Sequence, residues 1–322
     1  MSTGNGLQTN SKIKVLYITG WGRSGTTLLD NMLGQVDGFF SVGELRYIWD
    51  RNLIDNMLCG CGRPFNECPV WTQVLQRAFG GVDQIDVHEM IRLRDRARTR
   101  HLPLMLLPWE KRLVERRLTE YRAVLSKLYC AIHSVTKSRV IVDSSKFPSY
   151  GYVLAGMPMV DLYIVHLVRD PRGVAYSWLK RKPQPDRGQD LYMERFDPFK
   201  SSMIWNTWNL TAEAFWNRTR QRYMKLRYED FVWRPQEAMN RILNLVQEEA
   251  DDLPFVDTRK VRLGINHTVS GNPNRLNVGT VEIRPDEEWR SRMKLSDKAI
   301  VTALTWPLLI KYKYFTNIHH SS

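Results

Sequence analysis

Eight residues near the amino terminus, Gly20-Trp-Gly-Arg-Ser-Gly25-Thr26-Thr27, constrain what this chain can fold into more than any other stretch. Ahead of them Ile13 to Thr19 reads as a short apolar strand rich in β-branched residues, and behind them Leu28 to Leu33 reads as the start of a helix. Strand, glycine loop and helix in that order open a nucleotide-binding α/β sheet. The glycines let the backbone close on an anion, successive N–H groups converge on it, and the helix N-terminus adds partial positive charge. The spacing is that of a G-x4-G phosphate loop, but Thr26-Thr27 stands where an NTPase carries Lys-Ser/Thr. Hydroxyls from Thr26 and Thr27 and the forked cation of Arg23 remain available to a phosphate. The lysine that bridges β- and γ-phosphates is gone.

The remaining text supplies the sheet that this opening needs. Arg139 to Asp143 and Asp161 to Val168 are continuous apolar runs, the pattern of parallel strands covered on both faces. Between them and the start lies a charged, helical stretch from Asp83 to His133, in which Leu113, Val114, Leu118, Tyr121, Leu125 and Leu128 recur at helical spacing. Helices are predicted over Pro198 to Tyr223, Arg234 to Glu248 and Asp297 to Lys311. Pro183 to Asp197 and Gly264 to Asp286 read as long loops of the kind that carry function. The expected fold class is α/β: a P-loop-like central parallel sheet flanked by helices, with substrate-facing helical insertions. A polar, disordered N-terminus over 1–12 and one domain over 13–322, with 83–133 as a helical insertion, is the expected organisation.

The chain carries 47 Lys and Arg against 34 Asp and Glu, a formal charge of +13. Such a surface draws polyanions. No block of basic residues and no nucleic-acid signature accompanies it, so a focused anion pocket is the more economical reading and no nucleic-acid partner is expected. No apolar leader opens the chain, and Val301 to Ile310 is too short to span a bilayer, which predicts a soluble, cytoplasmic protein without stable membrane insertion. Cys59, Cys61 and Cys68 form C-x-C-x6-C, which is not a zinc-finger spacing and suggests no fourth ligand; it reads as a tight turn of free thiols, or a disulfide in an oxidising compartment. No residue is therefore assigned to a metal. His166, inside an apolar strand, reads as a satisfied core residue; His133 and His267 are weaker candidates for a base.

Two segments together resemble the PAPS-dependent sulfotransferases (PAPS is 3′-phosphoadenosine-5′-phosphosulfate). Gly22-Arg-Ser-Gly-Thr-Thr-Leu-Leu29 looks like that family's 5′-phosphosulfate loop, and Leu167-Val-Arg-Asp-Pro-Arg-Gly-Val-Ala-Tyr-Ser-Trp178 looks like its 3′-phosphate motif. The resemblance puts Gly22, Arg23, Ser24, Gly25, Thr26 and Thr27 on the 5′ end, and Arg169 and Ser177 on the 3′-phosphate. Arg169 also falls at the C-terminal end of a predicted strand, where open α/β sheets bind ligands. Phe40-Ser-Val-Gly-Glu-Leu-Arg46 resembles the segment carrying the acidic catalytic residue in a bacterial-type branch, which makes Glu44 the expected general base. Leu226-Arg-Tyr-Glu-Asp230 and Gly271-Asn-Pro-Asn-Arg275 resemble that branch's nucleotide-facing segments, implying Tyr228, Gly271, Asn272 and Arg275 as donor contacts. Cys59 to Trp71 also has that branch's look.

The implied activity is sulfuryl transfer from PAPS, which has no γ-phosphate for a lysine to bridge, to a hydroxyl or, second, an amine. Arg23 and Lys146 would balance charge on the leaving phosphate. This chemistry requires no divalent ion, so metal-independent activity is expected. The acceptor, whether sugar, lipid, peptide or other small molecule, is not readable; the charged helical stretch and the aromatic segment from Tyr192 to Tyr223 are expected to shape its pocket. Competing readings are a P-loop kinase or NTPase with a degenerate loop, whose Mg²⁺ ligand would be Asp143, a non-catalytic nucleotide-binding protein, and a lipid- or nucleic-acid-surface protein.

Overall fold

The fold comes from a computed structural model that describes residues 12–98, 101–188, 190–217, 219 and 221–315. The N-terminal segment expected to be disordered lies, except for Lys12, outside the described residues. Five strands, β1 (Ile13–Thr19), β2 (Phe39–Gly43), β3 (Val140–Lys146), β4 (Val160–Val168) and β5 (Tyr223–Arg227), form one parallel sheet in the order β2-β3-β1-β4-β5. The helices are α1 (Thr26–Leu33), α2 (Pro69–Phe79), α3 (Val87–Asp95), α4 (Leu102–Leu106), α5 (Lys111–Thr136), α6 (Pro148–Ala155), α7 (Pro171–Leu179), α8 (Pro198–Trp216), α9 (Tyr228–Trp233), α10 (Pro235–Val246), α11 (Glu288–Arg292) and α12 (Leu295–Lys311). None of them, among the described residues, is long and apolar enough to cross a membrane.

Period-2 alternation sends successive strand residues into two separate cores. Val15 and Tyr17 of β1 join α2, α5, α6 and α8 on one face, whereas Leu16 and Ile18 join α1, α9 and α10 on the other. Val114, Leu118, Tyr121, Leu125 and Leu128 bury as the helical spacing predicts, but Leu113 is half exposed, because one residue before Val114 it falls about 100° round the helix from that stripe. His166 is buried in β4 between the Tyr223 hydroxyl and the Asn209 amide oxygen. That places it in the core, as its apolar neighbours predict.

Two expectations are corrected. The helix predicted through Tyr223 ends at Trp216, and Tyr223 opens β5. The unpaired edge of β4 offers a ladder, and Ile164 N–H donating to Arg222 O at 2.8 Å begins the capture of this segment; helical spacing carries no information about that edge. The segment read as a loop from Gly264 to Asp286 contains a short 3-10 turn (Pro273–Leu276) and a strand, β8 (Gly279–Glu282). With β6 (Phe255–Asp257) and β7 (Lys260–Leu263), β8 makes a small antiparallel sheet.

The connection from β1 runs to one side of the sheet, towards β2 and β3, and β4 lies on the other side of β1. A crevice opens at such a switch point, beyond the carboxyl ends of the strands. Thr19 of β1 pairs with His166 of β4, so the residues just after both, Gly20–Thr27 and Arg169, flank the same crevice.

Candidate active site

A cleft of about 990 Å³ occupies that crevice. The glycine loop lines it, and within the loop Arg23 (φ 70°) and Gly25 (φ 88°) take left-handed backbone. Gly22, Arg23, Gly25, Thr26 and Thr27 all line the cleft. Ser24 does not; its buried hydroxyl has no hydrogen-bond partner among the described residues. The Arg23 guanidinium stacks on Trp178, 4.7 Å from the ring centroid, and none of its three nitrogens has a hydrogen-bond partner among the described residues. Burial pushes it down to about 10, against the opposing pull of Glu44. A buried cation with five unsatisfied donors is a group built to receive an oxyanion.

Arg169, expected at the 3′-phosphate, abuts the loop. Arg169 Nη1 donates to the Arg23 carbonyl at 2.9 Å, Nη2 donates to the Asp286 carbonyl at 2.8 Å, and the guanidinium lies 4.5 Å from the centre of the Tyr228 ring. It also pairs with the Asp286 carboxylate at 3.0 Å. Asp170 starts α7 by accepting from Arg172 N–H at 2.9 Å, with Pro171 in the first turn, which orients the helix so that Ser177 faces the cleft two turns on. Tyr228, Gly271 and Asn272 line the same cleft.

Arg275 does not. Its guanidinium is almost wholly buried and donates to the Thr268 and Leu58 carbonyls, and it pairs with the equally buried Asp186 at 3.0 Å. Sequence resemblance placed it on the donor because the whole Gly271–Arg275 segment matched; the structure uses it to tie that loop to the turn at Leu58. Lys182 is a cleft cation that the sequence reading missed. Burial and the nearby charges of Arg23 and Lys180 hold its ammonium below the usual lysine range. It sits in an irregular stretch with no motif around it, so only tertiary placement reveals it.

Glu44 and Lys146 meet at the third corner. β2 ends at Gly43, and Glu44 N–H donates to Ser270 O at 3.3 Å. Lys146 closes β3 in left-handed backbone (φ 72°), and its ammonium hydrogen-bonds to Glu44 Oε1 in a tight ion pair. Asp143, the carboxylate that a kinase reading needs, lies elsewhere. It is buried, accepts from Tyr129 Oη at 2.5 Å and from Ser145 N–H at 2.8 Å, and is not part of the cleft. Burial pushes it up to about 6.

Beside Glu44 and Lys146 the cleft wall is aromatic. Phe147 packs 4.5 Å from Trp208, Trp208 meets Trp21 edge-on at 4.8 Å, and Trp21 stacks on Trp178 at 5.1 Å. Tyr192, Met193, Phe196, Ile204 and Trp208 come from the aromatic segment that was expected to shape this pocket. The charged helical stretch, expected to do the same, contributes no described residue between 83 and 133 to the cleft. Its helices pack against the outer face of the sheet, because the apolar stripe of α5 is satisfied there by β1, α2 and α6.

A lysine-free glycine loop and an arginine–serine pair share one crevice at the carboxyl ends of a parallel sheet, in an α/β fold. The sulfotransferase family model matches residues 16–252. The chain belongs to the sulfotransferase family, and it is a transferase enzyme. Among solved structures, the sulfotransferase domain from the curacin biosynthetic pathway superposes with a TM-score of 0.52 at 16% identity, covering 92% of this chain and 98% of that one. The sulfotransferase domain from the Synechococcus PCC 7002 olefin synthase, at 18% identity and a TM-score of 0.45, covers 92% of this chain and 95% of its own. No curated protein sequence matches the chain.

Proposed function

We propose that this enzyme transfers the sulfuryl group of PAPS to an acceptor hydroxyl, or secondarily an amine. The observation that carries the reading is the hydrogen bond from Arg169 to the backbone of Arg23, which joins a 3′-phosphate site to a 5′-phosphosulfate loop in one cleft. Arg169 and Ser177 hold the 3′-phosphate. Thr26, Thr27 and the N-terminus of α1 hold the 5′ end, with Tyr228, Gly271 and Asn272 beside the nucleoside.

In the transfer, the acceptor oxygen forms a bond to sulfur while the bond from sulfur to the phosphate oxygen breaks. Glu44 accepts the acceptor's proton. Arg23 and Lys146 balance the charge that grows on the departing phosphate, so positioning and electrostatics supply most of the rate. The Glu44–Lys146 pair couples the two halves: a donor that recruits Lys146 frees Glu44 to act as base. The aromatic wall fits an acceptor with a flat or apolar body beside its reacting group.

Thermal shifts with adenosine 3′,5′-bisphosphate, ATP and AMP test the donor. Stabilisation by mass action should be largest for the bisphosphate, about 2–3 kcal/mol at a hundredfold excess over Kd. Labelled sulfate transferred from PAPS to an acceptor in excess EDTA tests the reaction. A preference for ATP with Mg²⁺, or turnover lost in EDTA and restored by Mg²⁺, would refute the assignment in favour of an NTPase.

A further inference from the structure

The turn at Cys59 takes on a different meaning once its neighbours in space are known. Cys59-Gly-Cys61-Gly62 folds back on itself, with Gly62 N–H donating to Cys59 O and Cys59 N–H donating to Arg63 O, both at 2.8 Å. Nine residues on, Cys68 caps the start of α2. The fourth member arrives from about two hundred residues away. Trp71 Nε1 donates to His267 O at 2.6 Å and Gly60 N–H donates to Thr268 O at 2.9 Å, which seats the His267 ring over the turn.

The sulfur of Cys68 is then 3.5 Å from that of Cys59 and 3.3 Å from His267 Nδ1, with Cys59 Sγ 4.0 Å from the same nitrogen. All four ligand atoms, including Cys61 Sγ, lie within 4.8 Å of one another. A tetrahedral zinc ion, with Zn–S near 2.3 Å and Zn–N near 2.05 Å, sets such edges at about 3.5–3.8 Å. We propose that Cys59, Cys61, Cys68 and His267 bind one zinc ion in a closed Cys₃His site, separate from the cleft.

Three further observations support that reading. Thiolates and an imidazole form the soft donor set that selects zinc, and four protein ligands leave no open position for chemistry, which makes the site structural. Backbone N–H groups of Val70 and Trp71 hydrogen-bond to the Cys68 sulfur, and that of Cys61 to the Cys59 sulfur, the arrangement that stabilises metal-bound thiolates. A Cys59–Cys68 disulfide would employ two of the four groups and leave Cys61 and His267 unused. The site also has mechanical sense. His267 precedes the segment in which Val269 N–H donates to Val42 O and Ser270 O accepts from Glu44 N–H, so the ion pins the strip that carries Glu44 and Gly271.

The test is metal analysis of the full chain, purified under reducing conditions without a histidine tag, and it does not depend on the donor. About one zinc per chain is expected, as for other closed four-ligand sites. The Co²⁺-loaded protein should show thiolate-to-cobalt charge transfer in the near ultraviolet and intense visible bands of tetrahedral coordination. Cys61→Ser and His267→Ala should each weaken zinc retention against a competing chelator by more than about tenfold. Should either variant fail to fold, the wild-type stoichiometry and cobalt spectrum still decide. A wild-type chain that carries no zinc and gives no cobalt charge-transfer band overturns the proposal, as does a Cys59–Cys68 cross-linked peptide from protein kept reduced.

Discussion

Glu44, just past the end of β2, and Lys146, the last residue of the adjacent β3, form an ion pair in the cleft lining. If Glu44 takes the acceptor's proton, Glu44→Gln keeps the shape and one hydrogen-bond acceptor for Lys146 while removing the base. Turnover should then fall by about 10²–10⁴-fold, with the thermal shift from the bisphosphate retained. Unchanged kcat in that variant would assign the proton to another group. At this scale the sequence was informative wherever a motif surrounds the residue. Arg23, Thr26, Thr27, Arg169 and Ser177 could be named from their flanks, and all of them line the cleft. Lys182 lies in the same cleft but owes its place to the path of irregular chain between α7 and α8, which no local pattern encodes. Arg275, named from a matching segment, lies buried outside the cleft lining, because such a match does not say which side chains turn inward.

Elements put the glycine loop and α1 in position, and Gly25 is where the loop, the helix and the Tyr228 ring converge. A Cβ at Gly25 would sit 2.6 Å from Tyr228 Cδ2, in backbone at φ 88°. Gly80 ends α2 in nearly the same conformation, φ 85°, yet its nearest neighbour would be Gln84 Cγ at 3.7 Å. Gly80→Ala should therefore carry only the left-handed penalty, about 1–2 kcal/mol. Gly25→Ala should lower Tm further and abolish the bisphosphate shift, because Tyr228 must leave its place. Equal effects on Tm and on ligand response would show that the Tyr228 contact is not what the glycine protects. The strands β1, β3 and β4 were readable because burial on both faces leaves an unbroken apolar run. β5 and the small β6–β8 sheet were not, since an edge strand such as Tyr223–Arg227 is defined by the ladder it joins.

At the scale of the whole molecule, two groups buried outside the cleft make stability depend on pH. Burial pushes Asp30, in α1, up to about 7 and pushes His166 down to about 4. The folded state binds more protons than the unfolded at Asp30 between its ordinary value and pH 7, so this group lowers stability as pH rises through that window. At His166 the folded state binds fewer between pH 4 and the ordinary histidine value, so stability falls as pH drops there. Asp30→Asn should remove the first effect. Its gain in unfolding free energy, followed by denaturant titration, should be smallest near pH 4 and largest above pH 7, bounded by about 4 kcal/mol for a three-unit shift; a gain independent of pH would mean that Asp30 is ionised in the folded protein throughout.

The sequence by itself determined the glycine loop between strand and helix, the arginine at the end of β4 and the capped helix that follows, because each depends on contacts within a dozen residues. Only the tertiary structure decided that the glycine loop and Arg169 share a cleft, that Arg275 is buried in the scaffold while Lys182 lines the cleft, and that His267 meets three cysteines some two hundred residues earlier. Those outcomes follow from sheet order and long-range packing, in which the partner of a side chain is set by which strands lie side by side rather than by which residues are neighbours in the chain.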